Sequence, residues 1–305
     1  MPQRADHVPL GIAMMLAFCA LAPLIDVAAK FASQSVSVGQ VTLARMAVQA
    51  LLMIPVMLIF RHGVRLTTVQ FGLLTLRAAL LLASTFTFVS ALQVMPVADA
   101  LAIAFVEPFI LLAMGAVLFG DLVGPRRIIA SLVGFCGALL VIQPNFAAFG
   151  SVALFPLGTA LFFALYMLVT RRIARDVAPE PMQFHTAWIG VVLMVPVLAL
   201  GAGLDIGVLV LSNPEALVWG QLFAVGLAAA VSHMAITYAL RFAPSATLAP
   251  LHYLEIVTAV LFGYLFFDDW PNPLSWTGIA VITGSGLYII ARERHLARAA
   301  RRAAL

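Results

Sequence analysis

Ten apolar runs decide what this chain can fold into, because each is close to the roughly 20 residues that carry a helix across a ~30 Å hydrocarbon layer. They lie at 9–32, 37–60, 70–92, 97–119, 126–143, 151–171, 181–201, 216–240, 245–267 and 274–292. Soluble domains carry about a quarter charged residues; here charged residues are 10% of the 305 and hydrophobic ones 63%. No globule of that composition hides its apolar surface from water. The expected fold is an all-α integral membrane protein with ten transmembrane helices. Turn residues separate the runs, among them His62-Gly63, Met95-Pro96, Gly124-Pro125, Pro144-Asn145, Asn213-Pro214, Ala243-Pro244 and Pro271-Asn272-Pro273. Only 203–215 has the length of a true loop.

The basic residues between spans set an orientation. Arg4, Arg61, Arg65, Arg126, Arg127, Arg171, Arg172, Arg175, Arg241 and the arginines from Arg292 to Arg302 fall on one side of the ten-span scheme, and the opposite loops hold none. That asymmetry places both termini in the cytoplasm of a bacterial-type inner membrane. The formal charge of +4 therefore reads as topogenic, not as a nucleic-acid surface. The first run leads straight into Asp26 and Lys30 without a convincing cleavage site, so it is expected to be a retained span. Cys19 and Cys136 lie inside apolar runs, without disulfide or metal-ligand spacing, and no cofactor or metal is expected.

A second feature is duplication. Ala91-Leu-Gln-Val-Met-Pro-Val-Ala-Asp-Ala-Leu-Ala-Ile-Ala-Phe-Val-Glu107 and Ala239-Leu-Arg-Phe-Ala-Pro-Ser-Ala-Thr-Leu-Ala-Pro-Leu-His-Tyr-Leu-Glu255 align at a shift of 148 residues. Pro96 falls on Pro244, Glu107 on Glu255, Gly115 on Gly263 and Phe119 on Phe267. Further matches, such as Gly72 with Gly220 and Ser84 with Ser232, extend the repeat to whole halves: spans one to five (9–143) and six to ten (151–292), with a basic tail at 293–305. Five spans is an odd number, so the second copy enters from the other side. Inverted repeats belong to secondary transporters, with a substrate site near the midplane where the halves meet.

These residues resemble the EamA-type, ten-span members of the drug/metabolite transporter superfamily. The resemblance rests on Leu92–Pro108, Arg77, the Gly120-Asp121 that closes span four, Ala249–Val257, Gly263–Pro271 and Trp276–Ile290. Span four of that family usually closes with Gly-Glu, so Gly-Asp is a departure. The second-half motifs are similar to the branch that includes uptake carriers for S-adenosylmethionine and riboflavin; other branches export amino acids and their metabolites. The resemblance also implies that spans five and ten, rich in glycine at 134, 137, 278, 284 and 286, pack at the periphery.

Charges inside the bilayer cost ~2.5–3.5 kcal/mol each at a helix centre and so face protein or water. Glu107 and Glu255 sit midway along spans four and nine and are candidates to bind substrate or exchange protons; the plainer reading is a paired or protonated acid that ties helices together. Pro108 and Pro250 each free a carbonyl beside them. His252 shares a helical face with Glu255, and Tyr253 lies on a neighbouring face. Ser232, His233 and Tyr238 in span eight, with Ser84, Thr85 and Phe86 in span three, are pocket-lining candidates. Arg77 either snorkels to headgroups or faces inward toward an anionic group. Asp26 and Lys30, four apart, are expected to form an ion pair or a gate, with Arg45 joining them or Asp99. His185 and Trp188 read as interfacial.

The expected activity is secondary transport of a small organic metabolite through a central cavity, by proton coupling or exchange, in a monomer or homodimer in the lipid bilayer. Uptake of an S-adenosylmethionine- or riboflavin-like metabolite is set against export of amino acids. No Walker-type phosphate loop is present. An intramembrane enzyme lacks a nucleophile–base pair, and Gly284-Ser-Gly286 lacks the hydrolase spacing. A channel or structural subunit is the other competing class.

Overall fold

The computed structural model describes residues 7–60, 65–94, 97–120, 124–142, 150–267 and 272–303. Their elements are α1 (Val8–Leu21), α2 (Pro23–Ala32), α3 (Val38–Ile59), α4 (Thr68–Val94), α5 (Val97–Ala104), α6 (Glu107–Phe119), α7 (Pro125–Ile142), α8 (Leu154–Ile173), α9 (Pro179–Gly203), α10 (Ala216–Phe242), α11 (Ser245–His252), α12 (Glu255–Phe267) and α13 (Pro273–Ala303). Among the described residues eight apolar segments are long enough to cross a membrane. The divided α5–α6 pair and the 18-residue α7 supply the other two of ten spans. Large apolar side chains such as Leu58, Val117, Leu200 and Leu217 point outward, as a lipid-facing surface requires.

Packing follows the duplication. Helix α4 lies against α8 and α1 against α10, while α3 meets α9, α7 meets α13 and α6 meets α11. Exchanging the two repeats maps this pattern onto itself: span three on six becomes span eight on one, and spans two, four and five each meet their own counterpart. Glycines allow the closest approaches. A Cβ on Gly278 would lie 2.6 Å from the Gly137 carbonyl oxygen, so α13 and α7 touch backbone to backbone.

Spans one, four and nine are expected as single helices and are each broken. Pro23 lacks an N–H, and α1 ends at Leu21 with Ala22 as its cap, just before that proline. In span four the break is Phe105-Val106; in span nine it is Tyr253-Leu254, the same positions after the 148-residue shift. Both breaks are tight turns: Val106 N–H donates to the Ile103 carbonyl (3.2 Å) and Leu254 N–H to the Leu251 carbonyl (3.0 Å). Pro108 adjoins its break, whereas Pro250 sits inside α11 and its break follows later. Glu107 and Glu255 thus begin α6 and α12.

A carbonyl released inside a bilayer must find a donor, and here the broken helices supply one another. The Cys19 carbonyl, which Pro23 cannot serve, accepts from the Thr258 hydroxyl of α12. The Cys19 thiol donates to the Leu251 carbonyl (3.5 Å). Phe109 N–H turns to Val106 (3.1 Å), and the Tyr253 hydroxyl takes up the Phe105 carbonyl at 3.1 Å. The α11–α12 turn is clamped from outside by glycines, since Cβ atoms on Gly134 and Gly286 would press on Tyr253 and Leu254. Helix α13 continues through the basic tail as far as Ala303.

Candidate functional site

The three breaks surround a cavity of about 850 Å³, including its open mouth. Its walls are aromatic: Phe18 from α1, Phe88 from α4, Phe105 from the first-repeat break and Phe163 from α8. Polar groups enter at separate points. Asp26 comes from α2, Arg45 from α3, Ser84 and Thr85 from α4, Thr159 from α8 and His233 from α10. Glu107, His252 and Glu255 complete the lining.

The last three form one unit. His252 Nδ1 lies 2.7 Å from Glu107 Oε2, and Nε2 lies 2.9 Å from Glu255 Oε2. Their side chains are only 7%, 4% and 11% exposed, so little water competes for these bonds. One acid comes from each repeat, and a single imidazole joins them. Phe18, Phe105 and Phe163 surround that imidazole with ring centroids 5.5–6.2 Å away. The break that starts each half-helix with its acid is what brings both carboxylates to the imidazole. Glu107 Oε1 has no partner among the described residues.

A second buried network meets the cavity through Arg45. Its guanidinium donates to Thr85 and to His233 Nε2 at 2.6 Å. A guanidinium has donors only, so Nε2 accepts and the His233 proton is on Nδ1. That N–H donates to the Tyr166 hydroxyl oxygen at 2.9 Å. Arg77 also reaches Tyr166, at 2.7 Å. The chain Thr85–Arg45–His233–Tyr166–Arg77 thus runs from the cavity wall into the packed interior. Arg45 Nε is left without a partner among the described residues.

Several sequence expectations need correction. Arg77 neither snorkels nor lines the cavity; it is fully buried. Its nitrogens bond Thr170 (2.7 Å), Thr186, Gln183 (3.5 Å), Tyr166 and Thr237 (3.2 Å), and its guanidinium carbon stands 4.5 Å from the Tyr166 ring centroid. All those partners are uncharged, so Arg77 holds α4 to α8, α9 and α10. Ser232 donates to the Ala228 carbonyl of its own helix, Tyr238 is taken up by Glu180, and Tyr253 packs behind its break. Phe86 gives way to Phe88, two residues along the same helix. Asp26 forms no ion pair with Lys30 among the described residues; it lines the cavity together with Arg45 of α3 instead. The Asp99 side chain lies outside the described residues, as do Asp121 and Asp269. His185 accepts from the Trp188 indole N–H at 2.8 Å, apart from the site.

Span six is the part that residue-type reasoning missed. Phe163 and Tyr166, three apart on α8, share a face, and the duplication equates span six with span one, which holds Asp26. Those two facts together were the available signal.

A two-repeat bundle of ten membrane spans, closed around an internal cavity with an acid from each half, has the build of a membrane transporter. The chain belongs to the EamA-like transporter family, whose profile matches residues 9–143 and 150–291. A riboflavin transporter of Brucella anthropi is 27% identical over 290 residues, covering 94% of this chain and 100% of that one. A riboflavin transporter of Rhizobium johnstonii is 31% identical over 209 residues, 68% of this chain and 66% of the relative. An S-adenosylmethionine uptake transporter of Rickettsia prowazekii is 21% identical over 284 residues, with 93% of each chain covered. A solved crystal structure superposes with a TM-score of 0.74 at 19% identity, over 93% of this chain and 97% of its own, which supports the fold. The protein is a multi-pass membrane carrier of a small organic metabolite.

Proposed function

We propose that this carrier takes up a flat, heteroaromatic metabolite of the riboflavin class across the inner membrane, with both termini in the cytoplasm. The supporting observation is that two buried polar atoms, the donor Arg45 Nε and the acceptor Glu107 Oε1, have no partner among the described residues and belong to side chains that line one aromatic-walled cavity. A ring system bearing both carbonyl and N–H groups satisfies the two together, while Phe18, Phe88, Phe105 and Phe163 offer faces for it to stack on. The riboflavin transporters at 27% and 31% identity point the same way. Substrate enters between the repeats, and rocking of the halves exposes the cavity to each side in turn.

A cationic substrate is the second reading, because the cavity holds three acids, Asp26, Glu107 and Glu255, against the fixed cation Arg45. Both readings are separated by one experiment: uptake of riboflavin, S-adenosylmethionine and amino acids into liposomes holding the purified protein. Riboflavin flux above that of empty liposomes is expected. Losing one bond from a charged donor costs about 1.5–3 kcal/mol, so Arg45→Ala should weaken riboflavin binding by roughly 10- to 150-fold. Flux of S-adenosylmethionine or an amino acid with none of riboflavin defeats the assignment.

A further inference from the structure

Glu107 uses its two oxygens unequally. Oε2 is bonded to His252, while Oε1 is buried without a partner among the described residues, in a side chain that lines the cavity. The two bonds of His252 also differ in kind. His252 and Glu255 are three residues apart on one repeat, so movement of the halves carries them together. His252 and Glu107 lie on opposite repeats, 145 residues apart in sequence. Rocking of one repeat against the other, as in the carrier reading above, would strain that contact and spare the other.

Counting hydrogens gives the consequence. Two N···O bonds require two protons, and a neutral imidazole between two carboxylates supplies one. The second proton resides on the imidazole or on a carboxyl group. In every placement the trio carries a net charge of −1. When Glu107 separates from His252, the His252–Glu255 bond still needs one proton and the other is no longer shared. Opening the contact therefore frees one proton, leaves it on Glu107, or leaves it on His252 Nδ1.

Resting on the carrier reading above, we propose that Glu107 is the coupling residue. One oxygen holds a proton shared with His252 across the repeat interface, the other accepts an N–H or O–H of the substrate, and one proton crosses with each substrate. The two ligands sit on different oxygens of one carboxylate, so they bind together and do not displace each other. That arrangement is a proton symporter, the direction of coupling that drives uptake.

The other groups facing the trio are accounted for. The Cys19 thiol of α1 is directed at the Leu251 and His252 carbonyls. The Tyr253 hydroxyl is engaged by Phe105, and Cys136 of α7 lies toward Tyr253. From α10, His233 is bonded at both nitrogens, to Arg45 of α3 and Tyr166 of α8. Asp26 of α2 is the remaining acid in the cavity and the rival carrier of the proton.

The test uses full-length protein in liposomes, riboflavin fluorescence for uptake, and a trapped pH dye. With an inside-alkaline gradient of one pH unit, one-proton coupling drives accumulation up to about tenfold, and riboflavin addition acidifies the lumen. Flux remaining in Glu107→Gln should ignore the gradient, whereas that remaining in Glu255→Gln and Asp26→Asn should follow it. Wild-type flux blind to the gradient, or tenfold accumulation by Glu107→Gln, overturns the proposal; loss of the response in Asp26→Asn alone transfers the role to Asp26. A measurement free of substrate runs beside it. Carbodiimide modification of Glu107, read by mass spectrometry from acid to alkaline pH, should vary with pH, and its pH profile should change in His252→Asn. A yield that ignores pH also overturns the proposal. If riboflavin is not carried at all but labelling follows pH and His252, the proton role stands and only the substrate assignment falls.

Discussion

Arg77→Lys separates a structural charge from a substrate-binding one. The guanidinium makes five contacts through three nitrogens, to Thr170, Thr186, Gln183, Tyr166 and Thr237. A lysine keeps the charge but has one nitrogen with three N–H groups, so at least two contacts go. Bonds from a charged donor are worth about 1.5–3 kcal/mol each, which puts the loss at roughly 3–6 kcal/mol. Interhelical bonds measured inside membranes average nearer ~0.6 kcal/mol, which sets a floor of about 1 kcal/mol. The true cost should lie toward the upper range, because the reference state of a membrane chain cannot easily offer a guanidinium five other partners. At about 2–4 °C per kcal/mol, a loss of roughly 3–6 kcal/mol should lower the melting temperature in detergent by about 6–24 °C. Riboflavin affinity of the protein that remains folded should stay within about twofold, since Arg77 does not line the cavity. The assay is thermal unfolding followed by size-exclusion fluorescence, paired with binding at a temperature where both proteins are folded. A melting point unchanged within 2 °C or so, together with a large loss of affinity, would show that Arg77 reads substrate after all.

Two further substitutions test the interlocked breaks and the peripheral seam. Thr258→Val removes the donor that serves the Cys19 carbonyl and should cost about 1–2 kcal/mol; Thr277→Val, whose hydroxyl bonds the Pro273 carbonyl of its own helix on an exposed face, should stay within ~0.5 kcal/mol. Equal melting points for the two variants would mean that the released carbonyl does not need Thr258. Gly278→Ala drives a Cβ to 2.6 Å from a backbone oxygen and 2.9 Å from the Val141 backbone nitrogen, so α13 must move away from α7 at a cost of ~1–3 kcal/mol. Gly263→Ala, with nothing within 4 Å, is its control, and matching thermal stability of the pair would refute the backbone-contact account.

The helices and the twin acids were legible because each is a local signal: apolar length for the spans, and a carboxylate stranded in the middle of a run for Glu107 and Glu255. The i, i+3 spacing of His252 and Glu255 was legible for the same reason. Partner choice was not. Asp26 and Lys30 satisfied the i, i+4 rule, yet the Asp26 carboxylate lines the cavity, a feature formed by seven spans that no window of sequence contains. Arg77 looked able to snorkel because its five neutral partners are scattered over residues 166–237. Most instructive is one of the places where the duplication fails. The 148-residue shift sets Ala104 against His252. Glu107 and Glu255 occupy equivalent positions in the two repeats, and both bond one imidazole. An imidazole at both positions would bring a second ring to the same two acids. The sequence asymmetry between Ala104 and His252 is therefore what lets two equivalent halves share a single bridge, and it assigns that bridge to the second repeat, leaving Glu107 as the acid that motion can detach.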